Sequence, residues 1–400
     1  MRKDFLPFGR PSFGEDEEAA ILRVLRSGWI GMGPETVLFE KELAAFVGAA
    51  HVVTVNSCTS ALFLSLLVNG VGVDDEVIVP SLTWCSTANA ALYLGARPVM
   101  CDVDPRTYCA TWDTVAPRIT EKTKAVIVVH YGGLAAETIK IREKLPSGVA
   151  LIEDAAHAFG ARHGDGTIVG SSGNLTCFSF YANKNLSTGE GGAVALNDAA
   201  KADHLKSLRL HSLASDAWKR FQHKQTFDMA ISELGYKMNY TDMQACIGRV
   251  QLERQPEFLA RRLSIVQKYN RELPKVWPAL RRQDGLGLPG HVAHLYVVEL
   301  PLEELTITRD EFVVAMRDEN VGAAVHYAAL HRMPLYNRTA RQPDLPVVEQ
   351  LEDRIMTLPI SASMDESDCA DVISAFRRIF EANRRGSFKE YRASAGVSAG

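Results

Sequence analysis

The sequence contains no apolar run long enough to span a membrane, and its first residues lack the apolar core of a secretion signal. It also has no surplus of one charge. Its 44 basic and 48 acidic residues give a net charge of −4, and the basic residues form no tract. We therefore expect neither a membrane nor a nucleic acid as a partner, and we expect a cytoplasmic location.

Cysteine is sparse and has no pattern that indicates disulfides or a metal site. The seven cysteines are odd in number, show no CxxC spacing and mostly fall inside apolar strand or helix patterns. They are expected to be reduced and buried, like small hydrophobic residues. Internal repeats and low-complexity segments are also missing, and no metal is expected.

From about residue 50 to residue 200, short β-branched runs alternate with helix-like stretches. This rhythm is typical of an α/β fold with a mostly parallel sheet that helices cover on both faces. Several runs are almost continuously apolar, as buried parallel strands require. The predicted strands are 51–55, 76–80, 98–103, 124–130, 149–153, 176–180 and 192–196, with helices predicted near 60–71 and 86–95.

A second, smaller α+β domain is predicted after a long helical stretch at about 252–273. Its predicted strands are 294–299 and 322–326, and its predicted helices are 308–319 and 366–384. The predicted division is a large domain over 1–255, a small domain over 256–386 and a flexible tail over 387–400, where Ser, Ala and Gly dominate without periodicity.

Lys184 and Asp154 together indicate a catalytic site. Lys184 lies in a segment that ends in a glycine-rich turn, and Asp154 follows a predicted parallel strand, where ligands of such sheets bind. A lysine that forms an imine must be a neutral amine in a partly desolvated pocket, and pyridoxal phosphate also needs an acid beside its ring nitrogen. The alternatives are a solvated surface lysine and an aspartate that caps the next helix.

His157 and Trp84 are candidates for further contacts with this cofactor. One helical turn after Asp154 would bring His157 against the cofactor ring or its phenolic oxygen, and Trp84 follows a strand, where a flat indole can stack on the ring. The alternatives are a structural histidine and a tryptophan that packs in the core.

The cofactor phosphate requires backbone N–H groups and hydroxyls at a helix N-terminus. Thr59 and Ser60 stand where the first strand leads into a helix, and Ser179 adds a hydroxyl beside the lysine segment. By themselves, serine and threonine at such a position are only helix N-caps.

Over nearly its whole length the chain resembles the DegT/DnrJ/EryC1/StrS sugar aminotransferases, which are fold-type I pyridoxal phosphate enzymes acting on nucleotide-linked keto-sugars. The resemblance is carried by five segments. They are 27–34 (SGWIGMGP), 73–84 (VDDEVIVPSLTW), 152–158 (IEDAAHA), the Lys184 segment and 234–242 (LGYKMNYTD). Trp84, His157 and residues 129–132 (VHYG) and 235–239 (GYKMN) are most similar to the branch that aminates C4 of a UDP-4-keto sugar. Cys58 departs from the pattern, because many relatives have glycine there.

The resemblance implies a large domain built on a mostly parallel seven-stranded sheet between helices, with Lys184 as the covalent anchor. It assigns Asp154 to the pyridine nitrogen, His157 to the phenolic oxygen, Trp84 to the ring, and Thr59, Ser60 and Ser179 to the phosphate. It also implies a homodimer with shared active sites, in which Asn239 reaches the phosphate of the partner chain. The segments around Trp29, Lys237 and His326 are the candidates for substrate contacts.

The implied activity is a two-step transfer of an amino group from glutamate to a nucleotide-linked keto-sugar, a 4-keto pentose or 4-keto-6-deoxy sugar, through pyridoxamine phosphate. Glutamine remains open as donor, as do C3 amination, the nucleotide and the pathway. Two other outcomes stay open at this point: dehydration of the sugar, and a non-catalytic regulator with the same fold. Relatives that dehydrate sugars have histidine in place of the lysine, so Lys184 argues against dehydration.

Overall fold

The computed structural model of the chain describes residues 2–213, 231, 233–340 and 344–386. The predicted flexible tail, 387–400, lies outside the described residues. Within them, none of the helices is both long enough and apolar enough to cross a membrane.

A seven-stranded, mostly parallel sheet forms the centre of the larger part of the molecule, as predicted. Its strand order is β1-β7-β6-β5-β4-β2-β3, and only β7 runs antiparallel to its neighbours. The middle strands are almost wholly inaccessible to solvent and apolar residues hold most of their positions, which is the pattern that helices on both faces impose. The strands are His51–Val55 (β1), Glu76–Pro80 (β2), Arg97–Cys101 (β3), Thr123–Val129 (β4), Ala150–Asp154 (β5), Leu175–Ser179 (β6) and Gly192–Leu196 (β7).

Helices follow these strands in the alternation that the sequence predicts. The predicted helices at 60–71 and 86–95 each begin one or two residues earlier in the structure, and each ends three or four residues earlier. The helices of this part of the chain are Glu15–Ser27 (α1), Pro34–Val47 (α2), Cys58–Leu67 (α3), Cys85–Leu92 (α4), Trp112–Val115 (α5), Thr138–Lys144 (α6), Ala199–Leu208 (α7), Asp242–Glu253 (α8) and Gln255–Val276 (α9).

A second, three-stranded antiparallel sheet has its own core, in which Trp277, Phe312 and Phe376 pack together. This arrangement is compatible with the predicted small domain, although the boundaries at 255 and 386 remain predictions. Its strands are Arg281–Arg282 (β8), Tyr296–Glu299 (β9) and Ile355–Leu358 (β10). Of the helices in this part of the chain, Arg309–Asp318 (α10) and Glu366–Asn383 (α13) contribute to this core, whereas Pro334–Thr339 (α11) and Pro346–Glu352 (α12) bury residues in the core of the large sheet.

One predicted strand is wrong. Residues 322–326 form no strand; their only ladder contact is an isolated bridge between Ala324 and Thr357. The N-terminal segment crosses closely at this point, because a Cβ atom on Gly322 would lie 2.7 Å from the carbonyl oxygen of Leu6. The neighbours of β9 are β8 and β10 instead, and neither of these strands was predicted from the sequence.

The topology determines where a ligand can bind. Strands β1, β2, β5 and β6 run in the same direction, so the residues that follow them meet at one edge of the sheet. These residues include most of the predicted site. All seven cysteines lie in the described residues and are free thiols, five of them buried; Cys58 and Cys85 are partly exposed at this edge.

Candidate active site

A cavity of about 390 Å³ opens at the carboxyl ends of the parallel strands. Seven of the eleven residues predicted for the site line it, and they come from four different strand ends and from the segment after β9. These residues are Thr59, Trp84, Asp154, His157, Ser179, Lys184 and His326. The remaining four, Trp29, Ser60, Lys237 and Asn239, are not part of its wall.

Lys184 lies in the loop between β6 and β7, where its backbone N–H donates to the carbonyl of Tyr181 at 2.9 Å. Burial lowers the pKa of its amine to about 8, and the nearby Cys58 and Asp154 only partly oppose this effect. With such a pKa, roughly one amine in ten is neutral at pH 7, compared with fewer than one in a thousand for an ordinary lysine. Lys184 therefore has the property that imine formation requires, and it is not a solvated surface charge.

Asp154 is the last residue of β5, and its carboxylate is held from two sides. Its Oδ2 accepts a hydrogen bond from the hydroxyl of Thr87 at 2.8 Å, and its Oδ1 accepts one from the backbone N–H of Ala156 at 3.1 Å. Burial raises the pKa of Asp154, whereas these two bonds and the charge of Lys184 lower it. A turn follows, not a helix, so the alternative role of helix cap does not apply.

Thr87 is part of a short chain of hydroxyls behind this carboxylate. Thr87 and Thr83 are both buried, and their Oγ1 atoms lie 2.9 Å apart. Because the one proton of the Thr87 hydroxyl goes to Asp154, the hydroxyl of Thr83 donates to that of Thr87. The two threonines thus stabilise the ionised form of an acid that burial alone would neutralise.

Replacing Thr87 by valine is expected to raise the pKa of Asp154 further and to weaken cofactor binding. A hydrogen bond to a charged group contributes about 1.5–3 kcal/mol, which corresponds to an increase of roughly 10- to 100-fold in the cofactor dissociation constant. Titration of the apoprotein with pyridoxal phosphate, followed by absorbance, measures this constant. Thr83→Val, which reaches the carboxylate only through Thr87, should weaken binding less, and Thr87→Ser should restore it. Cofactor affinity in Thr87→Val equal to that of the unsubstituted protein would contradict the role of Thr87.

His157 lies in the turn after Asp154 and is buried against other rings. Its Nε2 is 2.8 Å from the hydroxyl of Tyr327, and its Nδ1 accepts a hydrogen bond from the backbone N–H of Gly132 at 3.3 Å. Burial, together with the charge of Lys184, holds the pKa of His157 well below its ordinary value. The imidazole is therefore neutral. Its ring also packs against His294, with 4.5 Å between the ring centroids.

Trp84 is the residue that precedes α4, and 59% of its surface is exposed. It lines the cavity, and its ring centroid lies 5.8 Å from that of Tyr327. A large aromatic side chain that lines a cavity and stays exposed is not packed in the core. Its indole face is available to a flat ring in the cavity.

The N-terminus of α3 opens onto the same cavity. The N-cap is Ser57, whose hydroxyl accepts from the backbone N–H of Ser60 at 3.1 Å. Thr59 and Ser86 pair their hydroxyls at 2.8 Å on the cavity wall, and Ser179 also lines the cavity. The first N–H groups of a helix have no partner within the helix, so this end is suited to a phosphate.

Ser60 is oriented differently from the prediction. Its hydroxyl donates to the side chain of Asn56 at 2.7 Å, and the residue does not line the cavity. Ser57, one helical turn earlier, lines the cavity instead. The predicted phosphate contact of Ser60 remains untested, and Ser57 is a better-placed candidate.

Trp29, Lys237 and Asn239 lie away from the cavity of their own chain. The indole N–H of Trp29 donates to the carbonyl of Met32 at 3.1 Å, close to the start of α2. The amine of Lys237 donates to the side-chain oxygen of Asn239 at 2.6 Å, and Asn239 donates to the carbonyl of Tyr240. These positions are compatible with a contribution to the site of a second subunit, which stays a prediction.

Several residues of the cavity and its support were not predicted as site residues, among them Cys58, Thr87 and Tyr327. The thiol of Cys58 lies 4.0 Å from Oδ1 of Asp154, and burial is the main reason that its pKa is well above the ordinary value. Tyr327 immediately follows His326, and Thr87 follows Trp84 by three residues, so proximity to predicted residues was the available signal. Their contacts depend on the tertiary fold.

The residues present fit pyridoxal phosphate. A lysine of lowered pKa, a hydrogen-bonded acid, an exposed indole and a helix N-terminus with hydroxyls all line one cavity. Each corresponds to one chemical requirement of this cofactor: a covalent anchor, a partner for the ring nitrogen, a face for the ring and donors for the phosphate.

Comparisons with known proteins agree with this geometry. The model of the DegT/DnrJ/EryC1/StrS aminotransferase family matches residues 11–377. The spore coat polysaccharide biosynthesis protein SpsC of Bacillus subtilis is 38% identical over 385 residues, which cover 94% of this chain and 98% of that protein. Two solved structures are similar over 94% of this chain and 99% of their own. They are the aminotransferase TlmJ from Streptoalloteichus hindustanus, 34% identical with a TM-score of 0.84, and the putative sugar aminotransferase Spr1654 from Streptococcus pneumoniae in its PMP form, 28% identical with a TM-score of 0.85.

Proposed function

Because this chain belongs to the DegT/DnrJ/EryC1/StrS aminotransferase family, whose cofactor is pyridoxal phosphate, we propose that it transfers an amino group from glutamate to a nucleotide-linked keto-sugar. The observation that supports this most strongly is the meeting of Lys184, Asp154 and the N-terminus of α3 in one cavity. The proposed acceptor is a 4-keto sugar, on the resemblance of Trp84, His157 and residues 129–132 to the C4-aminating branch.

Each residue of the cavity has a proposed task toward the cofactor. When bound, pyridoxal phosphate supplies an electron sink for the charge that develops on the substrate carbon. Asp154 keeps the ring nitrogen protonated, and Trp84 covers a face of the ring. Thr59 and Ser179 bind the phosphate, together with the N–H groups at the start of α3. His157 lies near the phenolic oxygen, with both of its ring nitrogens bonded to the protein.

Lys184 has two proposed tasks in turn, covalent anchor and proton carrier. Once glutamate has displaced it, the amine of Lys184 would take the proton from the α-carbon of the amino acid and return it on the cofactor side. Hydrolysis by water would then release 2-oxoglutarate and leave the amino group held in the cavity. In the second half, the keto-sugar would condense with this amino group, its keto oxygen would leave as water, and Lys184 would carry the proton in the opposite direction, to the sugar carbon that acquires the amine. A pKa of about 8 suits a group that must both accept and return a proton near neutral pH.

The active enzyme is proposed to be a homodimer in which each site uses residues of both chains. Two observations support this. Lys237 and Asn239 lie outside the cavity of their own chain, and α1, α2 and the segment between them expose several large apolar side chains, a composition typical of interaction surfaces. These are Leu22, Leu25, Ile30, Val37 and Leu38. In the dimer, Asn239 is proposed to contact the phosphate of the partner's site, and Trp29, Lys237 and His326 to contact the substrate.

Mixing two inactive variants tests the shared site. Lys184→Ala removes the anchor, and Asn239→Asp places a negative charge beside the phosphate. Random pairing in an equal mixture makes about half of the dimers mixed. In each mixed dimer one site combines both intact residues and the other combines both defects, so about a quarter of all sites, and of the normal activity, should return. Subunits are unfolded together, refolded and assayed. If Asn239 served its own chain, every mixed site would carry one defect and activity would not return.

The substrate proposal is tested with the pyridoxamine form of the enzyme. It is incubated with UDP-, GDP- and dTDP-linked 3-keto and 4-keto sugars, and the return of the pyridoxal absorbance identifies the acceptor. The expected result is a rapid return with a 4-keto sugar and the formation of an amino-sugar. Consumption of the keto-sugar without 2-oxoglutarate formation over repeated turnovers would indicate dehydration instead. No covalent binding of the cofactor would indicate a non-catalytic protein.

A further inference from the structure

Tyr327 occupies a defined position on the cavity wall that the tasks assigned so far do not use. Its ring is nearly parallel to that of His157, with an angle of 22° and 5.8 Å between the centroids. It meets the ring of Tyr131 edge-on at 6.5 Å and that of Trp84 at 5.8 Å. The hydroxyl of Tyr131 donates to the carbonyl of His326, which fixes the backbone immediately before Tyr327.

The hydrogen bonds of His157 determine which way the proton of Tyr327 points. Nδ1 of His157 accepts from the N–H of Gly132, so this nitrogen carries a lone pair and the single proton of the neutral ring is on Nε2. Nε2–H lies 2.8 Å from the hydroxyl oxygen of Tyr327. The histidine is therefore the donor in this pair, and the phenol oxygen is the acceptor.

The phenol proton of Tyr327 consequently has no acceptor among the residues that the structure describes, where Tyr327 makes no second side-chain hydrogen bond, and it lines the cavity. Burial raises the pKa of Tyr327 far above its ordinary value, so the group keeps its proton at any physiological pH. A neutral donor of this kind binds and orients an oxygen without ionising.

We infer that Tyr327 donates its hydroxyl proton to a neutral oxygen of the sugar substrate, a keto or hydroxyl oxygen, and that His157 is the positioning residue that orients it. This role rests on the proposed function and adds the group that recognises the sugar itself. A carboxylate of the amino donor is the weaker alternative, because carboxylates are bound best by guanidinium or ammonium groups. The rings around Tyr327 are those of Trp84, Tyr131, His157 and His326, and burial lowers the pKa of both histidines so that they carry no positive charge.

Tyr327→Phe keeps the ring and removes only the donor, and the two halves of the reaction separate its effect. The half-reaction with glutamate and the half-reaction with the keto-sugar are followed one at a time by cofactor absorbance. The sugar half should lose about 5- to 10-fold in its apparent second-order rate constant, the effect of one neutral hydrogen bond. The glutamate half should be unchanged, which also shows that the variant is folded and holds its cofactor. Tyr296→Phe, which removes a hydroxyl bonded to Asn270 in the second core, is the control.

The positioning role of His157 is tested with a pair of substitutions in a double-mutant cycle. His157→Gln retains an acceptor for Gly132 and a donor for Tyr327, and it should preserve the preference for the sugar half. His157→Leu retains neither, and it should slow the sugar half more than the glutamate half. In the Tyr327→Phe background this extra loss should disappear.

The experiments distinguish a failure of the inference on Tyr327 from a failure of the proposed function. Loss confined to the glutamate half in Tyr327→Phe would assign the hydroxyl to the donor carboxylate and overturn the inference, as would equal rates in both halves for Tyr327→Phe and the unsubstituted enzyme. If the unsubstituted enzyme completes the glutamate half but aminates none of the keto-sugars, the proposed function fails, and with it the sugar role of Tyr327.

Discussion

Lys184→Ala is expected to lose multiple-turnover amino transfer, with kcat reduced by about 10⁴-fold or more. A positioned acid or base alone contributes about 10²- to 10⁴-fold, and this substitution removes the covalent anchor as well. Residues that act in one unit rarely leave a partial function when one is removed. The measurement is steady-state production of 2-oxoglutarate with the identified keto-sugar. The pKa of about 8 makes Lys184 the candidate in the cavity for a neutral amine at neutral pH.

Lys201→Ala is a suitable control, because the amine of Lys201 lies outside the cavity and donates to the side chain of Asn69 at 2.8 Å. Reduction with borohydride adds a mass readout that does not depend on turnover. It should fix the cofactor to the unsubstituted chain and to Lys201→Ala, and not to Lys184→Ala. Many turnovers per site in Lys184→Ala would show that another group moves the proton, and would refute the assignment.

The regular part of the fold was predictable because each central strand is buried on both faces and so is apolar along its length. All seven strands of the large sheet were located in this way, including β4 and β5. The segment 322–326 has the same small and β-branched composition without forming a strand. Its neighbour on one side is the N-terminal segment, whose Leu6 exchanges two backbone hydrogen bonds with Asn320 and Gly322. Contacts between residues so far apart in sequence leave no local pattern.

The candidate site was predictable to the extent that its residues follow strands. Lys184, Asp154, His157 and Trp84 could be grouped because the carboxyl ends of parallel strands meet. Tyr327 was not identified because its contact with His157 joins positions 170 residues apart. Ser60 was assigned to the phosphate from its position where the first strand leads into a helix. Because α3 begins at Cys58, Ser57 is the N-cap and lines the cavity, a distinction that requires the exact first residue of α3.

Asp154→Asn is expected to have the second-largest effect, a decrease in kcat of about 10²- to 10⁴-fold. The substitution keeps the shape of the side chain and removes its charge, so nothing holds the proton on the ring nitrogen. Removing one partner of a buried ion pair costs about 3–5 kcal/mol, which corresponds to this range of rates if the loss falls on the transition state. The hydrogen bonds to residue 154 add a second loss of stabilisation. Both oxygens of Asp154 accept a hydrogen bond, one from Thr87 and one from Ala156, and asparagine offers only one acceptor.

Two measurements separate these effects. The dissociation constant of the cofactor reports the loss in the ground state, and the rate of the glutamate half-reaction at saturating cofactor reports the loss in the transition state. Thr87→Val should change mainly the dissociation constant, because the carboxylate remains. Asp154→Asn should change both the dissociation constant and the rate of the half-reaction. Cys58→Ala is the control for a change of packing beside the acid, since the thiol lies 4.0 Å from Oδ1 without supplying a charge. A half-reaction in Asp154→Asn as fast as in Cys58→Ala would show that the ring nitrogen does not depend on this carboxylate.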